Sequence, residues 1–134
     1  MNNNQIEQEI QANGLTAPRV TPEDIEANIR SEHYFTAEQG ARHAILDTIA
    51  GIGNRQTTDH APLDGNLCLL TFCVLILQNG FTVTGESACA SPENFDAELG
   101  RKIARQNAIN KVWPLMGYAL KERLLSGVTQ GNAG

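Results

Sequence analysis

No stretch of this chain is long and apolar enough to cross a bilayer. Its longest apolar run, LCLLTFCVLIL, has 11 residues, against roughly 20 for a spanning helix. The opening MNNNQIEQEIQANG lacks the basic and apolar regions of a signal peptide, so the expected compartment is a cytoplasm. Cysteine is scarce, with three residues that cannot all pair. Cys68, Cys73 and Cys89 lie in or beside expected strands and read as small buried hydrophobes in a reducing compartment. Positive charge is short too: 10 Lys and Arg stand against 15 Asp and Glu, a formal net charge of −5. That balance argues against DNA or RNA, whose phosphates need a basic surface. It still allows a small anion held by a local arginine cluster.

Catalytic signatures are also missing. There is no phosphate-cradling glycine loop, no zinc-ligand cluster and no nucleophile elbow. The GIG at residues 51–53 is too short to count. His43 and Asp47 share a helical face, with His33 and His60 to either side, but the spacing matches no compact metal motif. The expectation is a non-enzymatic protein with no catalytic residue, cofactor or metal.

What is present is one domain's worth of chain: 134 residues, 41% hydrophobic and 19% charged. Residues 1–20 are amide-rich, with Ile6 and Ile10 one helical turn apart; a short helix is one reading, and a flexible arm is the expectation. Thr21, Pro22 and Asp24 signal a helix start, and TPEDIEANIRSEHYF continues as a helix with Ile25 and Ile29 on one stripe and Arg30 and Tyr34 on another. TAEQGARHAILDTIAG reads as a second helix, with Thr36 and Gln39 as a capping box and Gly51 as its stop. Residues 52–65 form a loop by composition. The domain spans 21–126, with a disordered tail at 127–134.

Two branched, apolar segments flank Asn79-Gly80, the signal of a hairpin with a two-residue turn. That turn sets Ile76 against Val83, Val74 against Gly85 and Phe72 against Ser87 on one face. On the other face it sets Leu77 against Thr82, Leu75 against Thr84, Cys73 against Glu86 and Thr71 against Ala88. The first face, with Leu70, Phe72, Val74, Ile76 and Val83, reads as core, and the second is mixed. The first strand is apolar on both sides and must be covered on both. A lone hairpin cannot do that, so a homo-oligomer with the mixed face near a junction is expected. SPENFDAELGRKIARQNAINKVW is the best helix: Ser91 as cap, Pro92 at the first position, and Phe95, Leu99, Ile103 and Val112 or Trp113 as its buried stripe. Pro114 kinks or restarts it, and Gly127 ends it. The expected class is α+β: a two-stranded antiparallel hairpin packed with three to four α-helices, the sheet completed or covered by oligomerisation.

The candidate binding residues surround this hairpin and helix start. Arg101 and Arg105, four apart beside the free N–H groups at Ser91 to Asn94, suit a phosphate or pyrophosphate. Phe81, just past the turn, and Tyr34, beside Arg30, could stack a purine. Glu86, mid-strand on the mixed face, is at a solvated edge, paired with an arginine, or bonded to a ligand hydroxyl. Taken singly, each aromatic is ordinary core and each charge an ordinary solvated face.

VTPEDIEANIRSEHYFTA and LLTFCVLILQNGFTVTGESACASPENFDAELGRKIARQNAINKVWPLMGY resemble a small phage and prophage family named for gene forty-nine of coliphage N-four and a related Shigella phage gene. The resemblance covers residues 19 to about 125 and is weakest from Gly40 to Asp64. The plan is similar to that of the type-one Thoeris anti-defence sponge, which holds a cyclic ADP-ribose signal without degrading it; relatives hold cyclic oligonucleotides in separate pockets of a hexamer. The resemblance implies a cyclic-nucleotide-binding homo-oligomer, dimer or hexamer, in the cytoplasm of the infected bacterium. The same residues also fit a phage early protein that acts as an adaptor or inhibitor of a host enzyme.

Overall fold

A computed structural model describes residues 2–14, 17–49 and 62–130. In chain order these form helix α1 (Asn3–Ala12), helix α2 (Pro22–Ala27), strand β1 (Ile29–Thr36), helix α3 (Ala37–Ile49), strand β2 (Leu70–Leu77), strand β3 (Thr82–Ala88) and helix α4 (Ala97–Gln130). Short 3-10 turns precede β2 (Gly65–Leu69) and follow β3 (Pro92–Asn94). The strands form one antiparallel sheet in the order β1-β2-β3. Among the described residues no helix is long and apolar enough to cross a membrane.

The mixed α+β character agrees with the sequence; the strand count does not. The helix opened by Thr21 is only six residues long. Its capping box is present: the Asp24 N–H donates to Thr21 Oγ1 at 3.1 Å and the Thr21 N–H to Asp24 Oδ2 at 3.0 Å. Asn28 ends the helix, and there the Gln78 N–H and side-chain amide donate to the Asn28 and Ala27 carbonyls. These bonds tie the end of α2 to the hairpin turn and turn the next eight residues into an edge strand on β2. β2 thus gains a second strand neighbour within the chain, while its face opposite α4 stays only half-buried.

The hairpin register is shifted by one from the expected one. The loop has three residues, because the Leu77 N–H donates to the Phe81 carbonyl and Gly80 alone takes positive φ, +90°. Asn79 instead accepts the Phe81 N–H on its side chain at 2.9 Å. This is a tight turn followed by a left-handed glycine, the pattern of a three-residue hairpin loop. A one-residue slip exchanges the faces of β3. Leu75 now pairs with Val83, Cys73 with Gly85, and Phe72 with Glu86.

The core face is consequently the one expected to be mixed. Thr71, Cys73, Leu75 and Leu77 are buried beneath α4, whereas Leu70, Phe72, Val74 and Ile76 are only half-buried on the opposite face. Ile25, Leu75, Val83, Ile109 and Val112 fill the centre, edged by Val20, Tyr34, Trp113 and Met116. Each such large aliphatic side chain contributes about 1.5–3 kcal/mol by leaving water.

α4 buries only part of the stripe its large residues suggest: Val112 is in the core and Trp113 packs against it. Leu99 and Ile103 are exposed, while Gly100, Ala104 and Ala108 face the sheet. The reason is distance. A Cβ at Gly85 would collide with the Ala104 carbonyl and the Ala108 N–H, and would lie 2.9 Å from Ala108 Cα. Helix backbone rests directly on strand backbone, and only small residues fit between them. The helix also begins later and ends later than expected. Asp96 caps it, accepting the Leu99 N–H at 3.1 Å, and it continues through Pro114 and Gly127 to Gln130. Its 34 residues extend roughly 50 Å at 1.5 Å per residue, well past the end of the sheet. The positions expected as a Gly51 stop and most of the 52–65 loop lie outside the described residues. Residues expected as a flexible arm form α1, and Cys68, expected to be buried, is exposed.

Gly85→Ala should therefore destabilise the fold by about 3 kcal/mol, in the overpacking range. Gly127→Ala, where an added methyl meets nothing within 4 Å, should be neutral or stabilise by up to about 1 kcal/mol. Urea unfolding of the two variants measures both.

Candidate functional site

Beside the start of α4 lies a cavity of about 350 Å³, walled by Tyr34 and Phe35 of β1, Thr71 of β2, Phe95 before the helix, and Arg101 on it. The β1–α3 junction closes one side with Gln39, whose own backbone is held by a capping box: the Gln39 N–H donates to Thr36 Oγ1 at 3.2 Å and the Thr36 N–H to Gln39 Oε1 at 2.9 Å. Phe35 is held by Phe72, at a centroid separation of 5.6 Å. Among the described residues Arg101 makes no hydrogen bond or ion pair. Phe35, next to Tyr34 on the strand, turns its ring to Phe72 on the opposite face, so the unengaged guanidinium has Tyr34 and Phe95 as its aromatic neighbours: a charge for an anion and flat faces for a ring system.

One turn further along α4, Arg105 is committed to protein partners. Nη2 and Nη1 donate to Glu26 Oε2 and Oε1 at 2.6 and 3.1 Å, and Nε reaches Glu32 Oε2 at 3.2 Å. Tyr34 Oη donates to Glu32 Oε1 at 2.7 Å, which closes a chain Tyr34–Glu32–Arg105–Glu26 along the edge of β1. The two carboxylates hold the Arg105 guanidinium well above its ordinary range, with Glu26 the larger influence. Burial first, and then Glu32, pushes the Tyr34 phenol above its usual value. Beneath it, burial raises the Cys73 thiol.

The sequence-predicted residues do not form one site within the chain. Tyr34 and Arg101 share the cavity, and Arg105 adjoins Tyr34 through Glu32. Ser91 and Asn94 lie in the preceding turn and do not line the cavity. Ser91 makes no capping bond, and the positive end of α4 is occupied by the Asp96 carboxylate, so the expected anion site on free N–H groups is not there. Arg30 is on an edge strand rather than a helix, so it stands roughly 13 Å from Tyr34 at 3.3 Å per residue, not one turn away. Phe81, 54% exposed, sits at the turn, the end of β2 opposite to Thr71. That places it roughly 20 Å from the Arg101 cavity along the strand. Glu86 is exposed on the open face of the sheet, opposite Phe72, with β2 and β3 between it and α4. It shares no pocket with either arginine of its own chain.

Phe35 and Phe95 were not expected here. Phe95 is spaced like a core residue of α4, and Phe35 becomes a wall only once residues 29–36 are a strand. The alternation in IRSEHYFT was the available signal. Among the described residues no cluster of His, Cys, Asp or Glu has the form of a metal site.

The Tyr34 network has a measurable signature. The unfolded phenol ionises near 10, while the folded one is held neutral above that value. Its contribution to stability is thus complete below about pH 10 and is lost as the pH rises further. Absorbance titration at alkaline pH, wild type minus Tyr34→Phe, should place Tyr34 ionisation above the ordinary tyrosine range. Glu32→Gln should lower it only in part, because burial is the main cause.

A family model described as "Phage protein (N4 Gp49/phage Sf6 gene 66) family" matches residues 20–124, which include the hairpin, the cavity and most of α4. No curated protein and no solved structure matches the chain. The matched segment spans well over half of the sequence, and the chain belongs to the N4 Gp49/Sf6 gene 66 family of phage proteins.

Proposed function

We propose that this phage protein binds and holds a cyclic nucleotide signal, a cyclic ADP-ribose isomer or a cyclic oligonucleotide, without degrading it, and so protects infection from host defence. The observation that carries this reading is the unengaged Arg101 in a cavity walled by Tyr34, Phe35 and Phe95. Arg101 would hold a phosphate and the aromatic walls would stack a base. The cavity's volume lies at the lower end of the small-molecule range. Resemblance to the type-one Thoeris anti-defence sponge points the same way.

The rest of the expected site is assigned to a homo-oligomer, dimer or hexamer, in the infected cell. Phe81 and Arg30 are exposed and far from the cavity in their own chain, and Glu86 is exposed on the sheet face opposite α4, so they would contribute only across a subunit junction. The open sheet face, with Phe72, Val74 and Ile76 half-buried, is apolar enough to favour a protein neighbour.

That same face supports a second reading, an adaptor or inhibitor that docks on a host enzyme. Leu46 and Ile49 of α3, both exposed, would extend the docking surface. A stable, stoichiometric host partner retained in the absence of nucleotide would favour it.

Calorimetry with cyclic ADP-ribose isomers and with cyclic di- and trinucleotides tests the first reading. It expects binding to at least one at micromolar protein, weakened tenfold or more by Arg101→Ala, about 1.4 kcal/mol. Absence of heat with every one of them would remove the reading. Light scattering should give a mass above 14.5 kDa, and a monomer would remove the composite site.

A further inference from the structure

α1 is joined to the body by few interactions. Glu7 is its one buried residue, and its latch is an ion pair with Arg19, whose Nη2 donates to Glu7 Oε2 at 2.7 Å. Gln11 adds a bond to the same carboxylate oxygen at 2.7 Å. The apolar residues of the helix are poorly seated: Ile6 is 43% exposed, and a gap of about 250 Å³ remains between Ile6, Ile10, Val20, Pro22 and Trp113. A second cavity, of about 500 Å³, opens beneath the first turn of α1 and reaches Glu26, Arg105 and Trp113. The Trp113 indole Nε1 is buried with no hydrogen-bond partner.

A ten-residue helix is too short to hold its own conformation in water, where the threshold is roughly 12–15 residues. Its helicity therefore depends on docking, and among the described residues docking includes the Glu7–Arg19 ion pair and a loosely filled apolar contact. Gly14, in the left-handed region at φ +70°, ends the helix with open space around it. α1 also lies outside the family-matched residues 20–124. Regions with few buried contacts open independently of the global fold.

We propose that α1 is a releasable strap, latched by Glu7 and Arg19, that opens and closes the cavity over Trp113 and the Arg105–Glu26 ion pair. Closed, the strap shields the indole and roofs the cavity. Open, it exposes Trp113, Val20 and Ile109 along one flank of α4 while the sheet and its helix stay folded.

The test uses the full-length chain without ligand and reads the chain's single tryptophan. Hydrogen exchange should show α1 amides exchanging at least about 100-fold faster than those of α4 from Ala104 to Val112. Acrylamide quenching of Trp113 should rise about twofold or more in Arg19→Ala and in Glu7→Gln, both of which break the latch, with α4 protection unchanged. Arg42→Ala, which breaks the ion pair with Glu38 on α3, should leave quenching unchanged. The proposal is overturned if α1 is as protected as the α4 core. It is equally overturned if quenching is insensitive to both latch variants, or if it rises only together with a loss of α4 protection.

Discussion

The contact of α4 with the sheet at Gly85 constrains everything else in this structure. Because the helix backbone lies on the strand backbone there, the helix must present Gly100, Ala104 and Ala108, and its larger residues must turn elsewhere. That rotation sends Leu99 and Ile103 outward. It also brings Arg101 and Arg105 over the β1 side, where one meets an aromatic cavity and the other meets two carboxylates. The two arginines are chemically identical and four residues apart, yet their surroundings separate them. Arg105 is neutralised and fixed, whereas Arg101 remains available. An anion arriving at this edge would have to displace Glu26 and Glu32 from Arg105, but nothing from Arg101.

Much of the local grammar could be read directly from residues. Both capping boxes, at Thr21 with Asp24 and at Thr36 with Gln39, form as their spacing predicts. What failed was decided by tertiary contacts. Ile25 and Ile29 continue a helical stripe, and nothing local reveals that Gln78 will take the carbonyls at the end of α2 and free Ile29 for a strand. The available clue was the alternation in IRSEHYFT, whose burial follows the period of a strand. Asn79-Gly80 signals a turn correctly, but the same pair serves two-residue and three-residue loops. The difference of one residue moved Glu86 from the Cys73 face of the sheet to the Phe72 face.

The stripe on α4 failed for a different reason. Hydrophobic periodicity weighs large side chains, whereas close backbone approach selects small ones. A glycine facing a glycine-alanine ladder is visible in the sequence only after the register is known. The cavity inherits both errors. Tyr34 and Arg101 were legible as chemistry, but Phe35 and Phe95 became walls only with β1 as a strand and with Asp96, not Ser91, opening the helix.

The central claim of the proposed function is capture without conversion, by a cation and aromatic faces in one cavity. The most direct measurement mixes the protein with a cyclic nucleotide, removes the protein by filtration, and then denatures it to release what it retained. The account predicts that free nucleotide falls in proportion to added protein and that heat returns the same nucleotide chemically intact. No depletion, or recovery of a changed nucleotide, would contradict it.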